Sequence, residues 1–403
     1  MTAAAPPARA RSTRIAPAPP APAVPLLQRP LTSYYLLLGS TGLLVALGLV
    51  MVFSASSVIS YASSGSSFTF FVKQGIWVVL GVPCMWVAMR LPVSFYRRIA
   101  YPALALSVAG LLLVLAVGTT VSGATSWIRV GPLSFQPSEP VKLALALWGA
   151  DVLVRKRALL GEWKHLLVPL LPGAGLLAFL IMMQPDLGTT ITLSLVLLGL
   201  LWFVGAPVRI FVAMGGLGVA AVAALTVAEP YRMARITGFL DPFADPLDSG
   251  YQTVQAIYAI SSGGLTGVGL GASREKWSYL PNPHTDFVYA IIGEELGLLG
   301  ALLVLVLFAG LTVAGVRIAS RATDPFARLV AGAVTVWIVG QAILNMCTVI
   351  GLLPITGVPL PLVSFGGTAL LVALVALGVL ASFARTEPGA AEALAQRPPG
   401  PVS

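Results

Sequence analysis

The chain has 403 residues, of which 57% are hydrophobic and only 10% are Asp, Glu, Lys or Arg, and its formal net charge is +9. Soluble proteins carry about 25% charged residues, so this composition and a mean hydropathy of +0.91 exclude an ordinary soluble domain. Both cysteines, Cys84 and Cys347, lie in apolar runs, which excludes a disulfide framework or a cysteine metal site. The composition predicts an all-α polytopic membrane protein.

The beginning of the chain contains no apolar run of the kind that forms the core of a signal peptide. It is rich in Pro and Ala and carries Arg9, Arg11, Arg14 and Arg29, a composition typical of a disordered tail. We predict that residues 1–31 and 386–403 are disordered cytoplasmic tails and that residues 32–385 form the membrane domain.

Apolar stretches bounded by charged residues, Pro or Gly predict about ten transmembrane helices. They cover residues 33–56, 70–90, 100–118, 139–154, 165–183, 187–204, 208–228, 286–316, 326–350 and 363–384. If both termini are cytoplasmic, most of the 24 Lys and Arg residues fall on that side, as the positive-inside rule expects. The long connection at residues 229–285, between helices 7 and 8, is then extracytoplasmic. The net positive charge therefore indicates orientation and does not indicate a nucleic-acid partner.

The end of the long connection carries Thr285 and Asp286 just before an apolar run. Either side chain is suited to cap the following helix, because its oxygen accepts hydrogen bonds from unpaired backbone N–H groups. A partly desolvated carboxylate at the membrane surface is also suited to act as a general base. Glu294 and Glu295 follow two turns deeper, where ionisable groups are costly and are either functional or paired.

A second cluster of polar residues joins the third and fourth spans and contains Trp127, Arg129, Glu139 and Lys142. Trp127 is typical of the aromatic belt at a membrane interface, and Glu139 and Lys142 have the i, i+3 spacing of a local ion pair. Alternatively, a lysine held at the membrane surface with an arginine nearby presents positive charge to a phosphate. The residues alone leave both interpretations open.

Two breaks between spans complete the set of polar clusters. Asp186 lies in a tight break at residues 184–189, as a turn cap or as a carboxylate that serves a site. Residues 354–368, which include Ser364, alternate Pro and Gly with apolar residues and so predict irregular backbone. Irregular backbone is tolerated at membrane depth only where protein or a water-filled cavity covers its polar groups. All four clusters fall on the predicted outer side, so we predict one outward cavity. A transporter and an enzyme acting on a lipid-borne substrate both remain possible, and with only His165 and His284 present, histidine-rich metal chemistry is excluded.

At these clusters the chain resembles the shape, elongation, division and sporulation (SEDS) family of peptidoglycan polymerases. The matching segments are residues 135–142, 184–189, 231–252, 280–295 and 345–367, and the resemblance extends from about residue 32 to residue 385. Residues 250–252 and 267–273, with Lys276, resemble the division branch of the family more than the elongation branch.

The resemblance implies polymerisation of lipid II into β-1,4 glycan strands at the outer face of the cytoplasmic membrane, at the division septum. It implies that Asp286 is the general base that takes the proton from the acceptor hydroxyl. We expect the residues that bind substrate to be Trp127, Arg129, Glu139, Lys142, Asp186, Lys276, His284, Thr285 and Ser364. A divalent cation, Mg²⁺ or Mn²⁺, is compatible with the departure of pyrophosphate but is not indicated by the residues.

The resemblance also implies partners. These are undecaprenyl-pyrophosphate-linked glycan, a class B penicillin-binding protein that crosslinks the strands, other membrane proteins of the division machinery, and membrane lipid. Two positions depart from the family pattern: Ser126 stands where the family usually has Arg, and Pro140 replaces a larger apolar residue. The alternatives are a flippase for lipid-linked precursors, the elongation polymerase of the same family, and a non-catalytic scaffold.

Overall fold

A computed structural model describes residues 30–121, 123–131, 133–159, 162–168, 170–227, 238–277 and 279–390. The predicted tails at residues 1–29 and 391–403 lie outside the described residues, and so does the part of the long connection at residues 228–237. Residues Thr386 to Ala390, which belong to the predicted C-terminal tail, are described and form turns after the last helix.

The described residues are mostly helical. The helices are α1 (Thr32–Ser64), α2 (Thr69–Arg90), α3 (Val93–Val117), α4 (Ser138–Arg155), α5 (Trp163–Leu167), α6 (Leu170–Met182), α7 (Leu187–Val204), α8 (Val208–Val227), α9 (Tyr251–Gly263), α10 (Val288–Arg321), α11 (Pro325–Val349) and α12 (Gly367–Ala384), with a 3₁₀ turn at Arg157–Leu159. α9 lies inside the long connection that the sequence predicts only as a loop with turns.

Among the described residues, 8 helical segments are long and apolar enough to cross a membrane, and Val208–Ala220 of α8 is a shorter apolar stretch. The eight correspond to all the predicted spans except 139–154 and 208–228. α4, at the first of these, contains Glu139, Lys142, Asp151 and Arg155 within its 18 residues, so it is less apolar than the others. The predicted all-α polytopic membrane fold is confirmed.

The described residues also include a small sheet of three strands. The strands β1 (Thr119–Val121), β2 (Ala124–Val130) and β3 (Leu133–Phe135) form an antiparallel sheet in the order β1-β2-β3. The register places Thr119 opposite Trp127 and Ile128 opposite Phe135. The prediction of helices alone missed this sheet because the run is too short to span a membrane, although its Thr, Val, Ile and Trp residues favour strands.

The centre of the bundle is formed by α11 and α12. α12 packs against α2, α11 packs against α7 and α10, and α1 packs against α10. The beginning of α1 is tied to the end of α10 by a hydrogen bond from Arg317 Nε to Ser33 Oγ of 2.8 Å, and Arg321 pairs with Glu387 after α12 at 3.1 Å. We therefore call this end of the bundle the termini end and the opposite end the site end.

α9 and the turn after it lie against a break in α10. Gly297 has a φ of 66° inside α10, which is a conformation that side chains other than glycine adopt at a cost. A β-carbon on Gly263 would collide with the carbonyl oxygen of Gly293, and one on Gly267 would collide with that of Glu295. This glycine crossing holds the long connection against the first turns of α10, directly after Asp286.

Candidate functional site

The segment between α11 and α12, residues 350–366, crosses the site end and is anchored there by a polar side chain from α11. The side-chain amide of Asn345 donates to the carbonyl oxygen of Asp286 at 2.7 Å and to that of Val358 at 2.8 Å. Asn345 is buried, so these bonds satisfy the nitrogen of an amide that has little access to water, while its Oδ1 has no partner among the described residues. They fix the crossing segment and the residue before α10 to the same helix.

Ser364 makes a second connection between the same segments. Its hydroxyl donates to the carbonyl oxygen of Thr285 at 2.6 Å and accepts from the backbone N–H of Leu360 at 2.8 Å. The amide of Gln74 on α2 donates to the carbonyl oxygen of Ser364 at 3.2 Å. The Pro- and Gly-rich backbone thus finds its hydrogen-bond partners inside the protein, as predicted for irregular backbone at membrane depth.

Asp286 is half-buried and lies two residues before Val288, the first residue of α10. The N-cap residue of α10 is Phe287, so neither Thr285 nor Asp286 occupies the capping position that the sequence left open. The Asp286 carboxylate faces the crossing segment, because a β-carbon on Gly357 would lie 3.8 Å from Asp286 Oδ2. The backbone of Asp286 is held by Asn345, while its carboxylate lies beside Gly357.

Asp186 caps α7, as one of its two interpretations predicted. Its carboxylate accepts from the backbone N–H of Thr189 at 2.9 Å and from the hydroxyl of Thr189 at 2.7 Å. It also accepts from Gln136 Nε2 at 3.0 Å, which joins α7 to the residue after β3. Gly188 packs against the carbonyl oxygen of Thr356, so this cap also adjoins the crossing segment.

Glu139 and Lys142 form a buried ion pair at 2.9 Å in the first turns of α4. Lys142 is 1% exposed, and its ammonium lies 4.9 Å from the centre of the Trp337 ring. Burial is costly for an isolated charge, so the pair and the aromatic face together keep this lysine inside the bundle. A cavity of about 20 Å³, large enough for about one water, is lined by Glu139, Gln341 and Ser364.

Trp127 and Arg129 lie on β2, which places them above the helices at the site end. Trp127 is half-buried, and its carbonyl oxygen accepts from Thr119 Oγ1 at 3.1 Å. Arg129 is exposed, opposite Ser134 of β3, and forms no ion pair with any acid in the described part of the chain. Ser126 is buried, so the position at which the family usually has Arg faces inward here.

His284 is enclosed by aromatic rings. Its ring centre lies 4.7 Å from that of Phe70 and 5.7 Å from that of Phe365. Burial lowers the pKa of His284 to about 4, so its imidazole is neutral at physiological pH. Its carbonyl oxygen accepts from the backbone N–H of Phe365 at 2.9 Å, which adds a third tie between the Asp286 segment and the crossing segment.

Lys276 points to a different group of residues, the glutamate pair Glu294 and Glu295 on α10. Its ammonium donates to the carbonyl oxygen of Gly271 and lies 3.8 Å from Glu295 Oε1. Glu294 accepts from Ser273 Oγ at 2.5 Å and from the backbone N–H of Arg274 at 2.8 Å. The two deep glutamates are therefore paired, and they bind the long connection to α10.

Glu275 lies beside this pair. Burial and the nearby charge of Glu294 raise the pKa of Glu275 to about 7. One of its carboxylate oxygens has no hydrogen-bond partner among the described residues, which agrees with a carboxyl group that holds its proton near neutral pH.

The residues that shape the site and that the sequence prediction missed include Asn345, Gln74, Trp337 and also Ser54, whose hydroxyl donates to Glu295. Gln74 and Ser54 are polar residues within apolar spans, and such residues usually face the interior of a bundle. That signal identifies them as structural partners but does not say which segment they bind. Trp337 has no comparable signal, because a tryptophan in an apolar span is equally typical of a lipid-facing position.

Comparisons with known proteins agree with the arrangement of these segments. A family model for cell cycle proteins, named for FtsW, RodA and SpoVE, matches residues 34–388. The probable peptidoglycan glycosyltransferase FtsW of Mycobacterium tuberculosis is 46% identical over 370 residues, which are 91% of this chain and 71% of that protein. Stage V sporulation protein E of Bacillus subtilis is 40% identical over 350 residues, 86% of this chain and 95% of that protein.

Solved structures share the fold. A chain from a peptidoglycan synthase complex that coordinates polymerization and crosslinking is similar with a TM-score of 0.72 and 28% identity, covering 87% of this chain and 96% of that chain. The rod shape determining protein RodA of Thermus thermophilus is similar with a TM-score of 0.66 and 26% identity, covering 88% of this chain and 97% of that chain.

Proposed function

This chain belongs to the FtsW/RodA/SpoVE family, and we propose that it is a peptidoglycan glycosyltransferase that polymerises lipid II during septal wall synthesis. The relatives named FtsW and the fold shared with a chain of a peptidoglycan synthase complex support this activity. It is a multi-pass membrane protein involved in cell division. The division branch is favoured over the elongation branch by the 46% identity to a protein named FtsW, against 26% to RodA.

In the proposed reaction the oxygen of the acceptor GlcNAc 4-hydroxyl attacks the anomeric carbon of a lipid-linked donor. A new C–O bond forms as the bond between that carbon and the pyrophosphate oxygen breaks, and undecaprenyl pyrophosphate leaves with the bonding electron pair. Asp286 takes the proton of the hydroxyl as a general base. The product is a glycan strand longer by one disaccharide.

The observation that carries the assignment is how Asp286 is held. Asn345 binds its carbonyl oxygen and Ser364 binds that of Thr285, so two hydrogen bonds fix the backbone on which the carboxylate sits. Both donors belong to the segment that crosses the site or to the helix before it. A base fixed in this way meets the geometric requirement for proton transfer better than one on an unconstrained loop.

Two cations have different roles in the proposal. Lys142 is neutralised by Glu139 and covered by Trp337, so we assign it to positioning the first turn of α4 beneath the substrate. Arg129 is exposed and has no acidic partner in the described part of the chain, so it is the better countercharge for the departing pyrophosphate. We propose that Trp127, two residues away on β2, contacts the sugar or lipid of the substrate.

A divalent cation at the site remains a proposal, and the side chains of the site are poorly suited to bind one. In the described part of the chain no three His, Cys, Asp or Glu side chains gather in a group suited to a metal ion. A magnesium ion at the site would take most of its ligands from pyrophosphate and water. The mechanism above therefore assigns no step to a metal.

We also propose a crosslinking partner, a class B penicillin-binding protein, with both termini on the cytoplasmic side. The solved relative that comes from a complex of polymerization and crosslinking supports the partner. α8 exposes Val208, Val212 and Val219 on one apolar face, which is suited to lipid or to a single-span partner. The excess of Lys and Arg at the termini end supports the orientation.

The test uses the purified full chain with its partner, supplied with labelled lipid II. We expect glycan strands from the wild type and none from Asp286→Asn at equal protein level. Asp248→Asn is the matched control, because Asp248 is an exposed acid of the same connection. Polymer synthesis by Asp286→Asn would contradict the general base. Movement of lipid II between leaflets without polymer would support the flippase alternative.

A further inference from the structure

A second cavity lies at the termini end, far along the helices from Asp286. It has a volume of about 610 Å³ and is open at one side. α4 with its 3₁₀ turn, the end of α7 and the turn between α10 and α11 form its walls. This volume is within the range of pockets that bind small molecules, about 300–1,000 Å³. The proposed glycosyl transfer takes place at the other end and does not use it.

The cavity has a cationic rim. Arg157 in the 3₁₀ turn and Arg328 in the first turn of α11 both line it, and both are exposed. Neither forms an ion pair with an acid among the described residues, whereas Arg97 and Arg155 both pair with Asp151, at 2.6 Å and 2.5 Å. Both arginines line one cavity and have no ion-pair partner among the described residues, so an anion bound between them would lower their mutual repulsion.

The acids close to the cavity in the sequence, Asp324 and Glu162, form no ion pair with Arg157 or Arg328 among the described residues. Asp324 caps α11, where its carboxylate accepts from the backbone N–H of Phe326 at 2.7 Å. Glu162 lies 3.7 Å from His165 with most of its side chain in solvent. Residues 1–29 carry four arginines and no Asp or Glu, and residues 391–403 carry one Glu and one Arg, so the side chains of neither tail offer net negative charge to the rim. Charge complementarity therefore favours an anion from outside the chain.

The rest of the lining is apolar and aromatic. Leu153 and Val154 of α4, Trp202 and Phe203 of α7 and Leu329 of α11 face the same cavity. Trp202 is 63% exposed at the end of a span, the usual position of an aromatic residue at the level of lipid head groups. A wall of this kind suits the upper part of an acyl chain and does not suit a fully hydrated ion.

We propose that this cleft binds an anionic phospholipid of the leaflet at the termini end, with its phosphate between Arg157 and Arg328 and its glycerol and upper acyl chain against Trp202 and Leu329. Basic pockets between transmembrane helices bind acidic head groups by the same combination of charge and apolar contact. The arginines suit this role because a guanidinium pairs with two phosphate oxygens at once.

The experiment places the purified full chain in nanodiscs of phosphatidylglycerol and phosphatidylcholine and measures retained lipid by native mass spectrometry. We expect selective retention of phosphatidylglycerol by the wild type, weakened about fivefold by each of Arg157→Gln and Arg328→Gln. Arg157→Lys and Arg328→Lys should keep most of the binding, because the charge remains. Arg98→Gln is the control, since Arg98 is exposed at the same end and does not line the cleft.

Three results would overturn the proposal. One is undiminished retention of phosphatidylglycerol by the double variant Arg157→Gln/Arg328→Gln, provided that its size-exclusion profile matches the wild type. Another is equal retention of phosphatidylcholine and phosphatidylglycerol by the wild type. The third is displacement of the lipid by millimolar inorganic phosphate, which would show a site for a soluble anion.

Discussion

Ser54 of α1 donates its hydroxyl to both carboxylate oxygens of Glu295 on α10, at 2.7 Å each. Both residues are buried, and they are 241 positions apart in the chain. The bond joins the first span to the helix that follows Asp286, at the level where Ser273 and Lys276 also meet Glu295. One serine in an apolar span thus completes the partners of a charged group that membrane burial would otherwise disfavour.

Replacing Ser54 with Ala should destabilise the protein by about 1–3 kcal/mol, because a buried carboxylate loses its only hydroxyl donor on α1. Thermal unfolding in detergent measures the effect. Ser194→Ala is the matched control, since Ser194 is exposed and bonds only to Thr190 of its own helix. Equal melting temperatures for the two variants would show that the Ser54 bond contributes nothing.

Replacing Asn345 with Ala should lower polymer synthesis by about tenfold to a hundredfold, because small displacements of a catalytic group have effects of that order. The change removes the bonds to Asp286 and Val358 but leaves the carboxylate in place. Initial rates with labelled lipid II over a range of concentrations measure it, and we expect a fall in kcat rather than a rise in KM. Cys347→Ala, a change at a free thiol on the same helix, should retain activity and is the control. Retention of full activity by Asn345→Ala would show that the positioning role is wrong.

Lys142→Met should cost about 3–5 kcal/mol, because it leaves the buried carboxylate of Glu139 without a partner. The double variant Glu139→Gln/Lys142→Met removes both charges and should recover most of that stability. A double-mutant cycle of thermal or denaturant unfolding gives the coupling energy. Additive losses would indicate that the ion pair has no energetic role.

The pH dependence of stability should contain a contribution from Glu275. Its folded pKa of about 7 lies above the ordinary value of 4.5, so the folded state binds the proton more tightly between these values. Stability from this group is therefore complete below pH 4.5 and is lost as the pH rises through 7. Glu275→Gln should remove this loss in unfolding measured from about pH 5 to about pH 8.

His284 acts in the opposite direction. Its folded pKa of about 4 lies below the ordinary 6.5, so stability falls as the pH falls from 6.5 toward 4. Below pH 6.5 the two groups oppose each other, and the difference between wild type and Glu275→Gln isolates the glutamate. Glu162→Gln, at an exposed acid of the termini end, should leave the wild-type profile unchanged. An unchanged profile in Glu275→Gln would contradict the raised pKa.

The sequence predicts the helical membrane fold because hydrophobic length is a local property, read from one stretch at a time. It also predicts that residues near 139, 186, 286 and 364 share one end of the bundle, since alternating spans fix the side of each connection. It does not predict that Asn345 binds Asp286, or that Lys276 turns to Glu295, because these contacts depend on how distant spans pack. Asp186 shows the same limit of sequence-based prediction. Its helix cap is a local feature that the sequence predicts, but the bond between its carboxylate and Gln136 joins residues 50 positions apart.

The glycine crossing of α9 and α10 has a consequence for sequence variation in this protein. Gly263 and Gly267 leave no room for even one methyl group, because carbonyl oxygens of α10 occupy the space. Gly264 lies between them, and no atom comes within 4 Å of the place that a β-carbon would take, but its φ of 57° and ψ of −140° are a backbone conformation that residues other than glycine rarely adopt. A saturation library across these three positions should therefore retain glycine at all of them, because of collision at the outer two and because of backbone strain at the middle one.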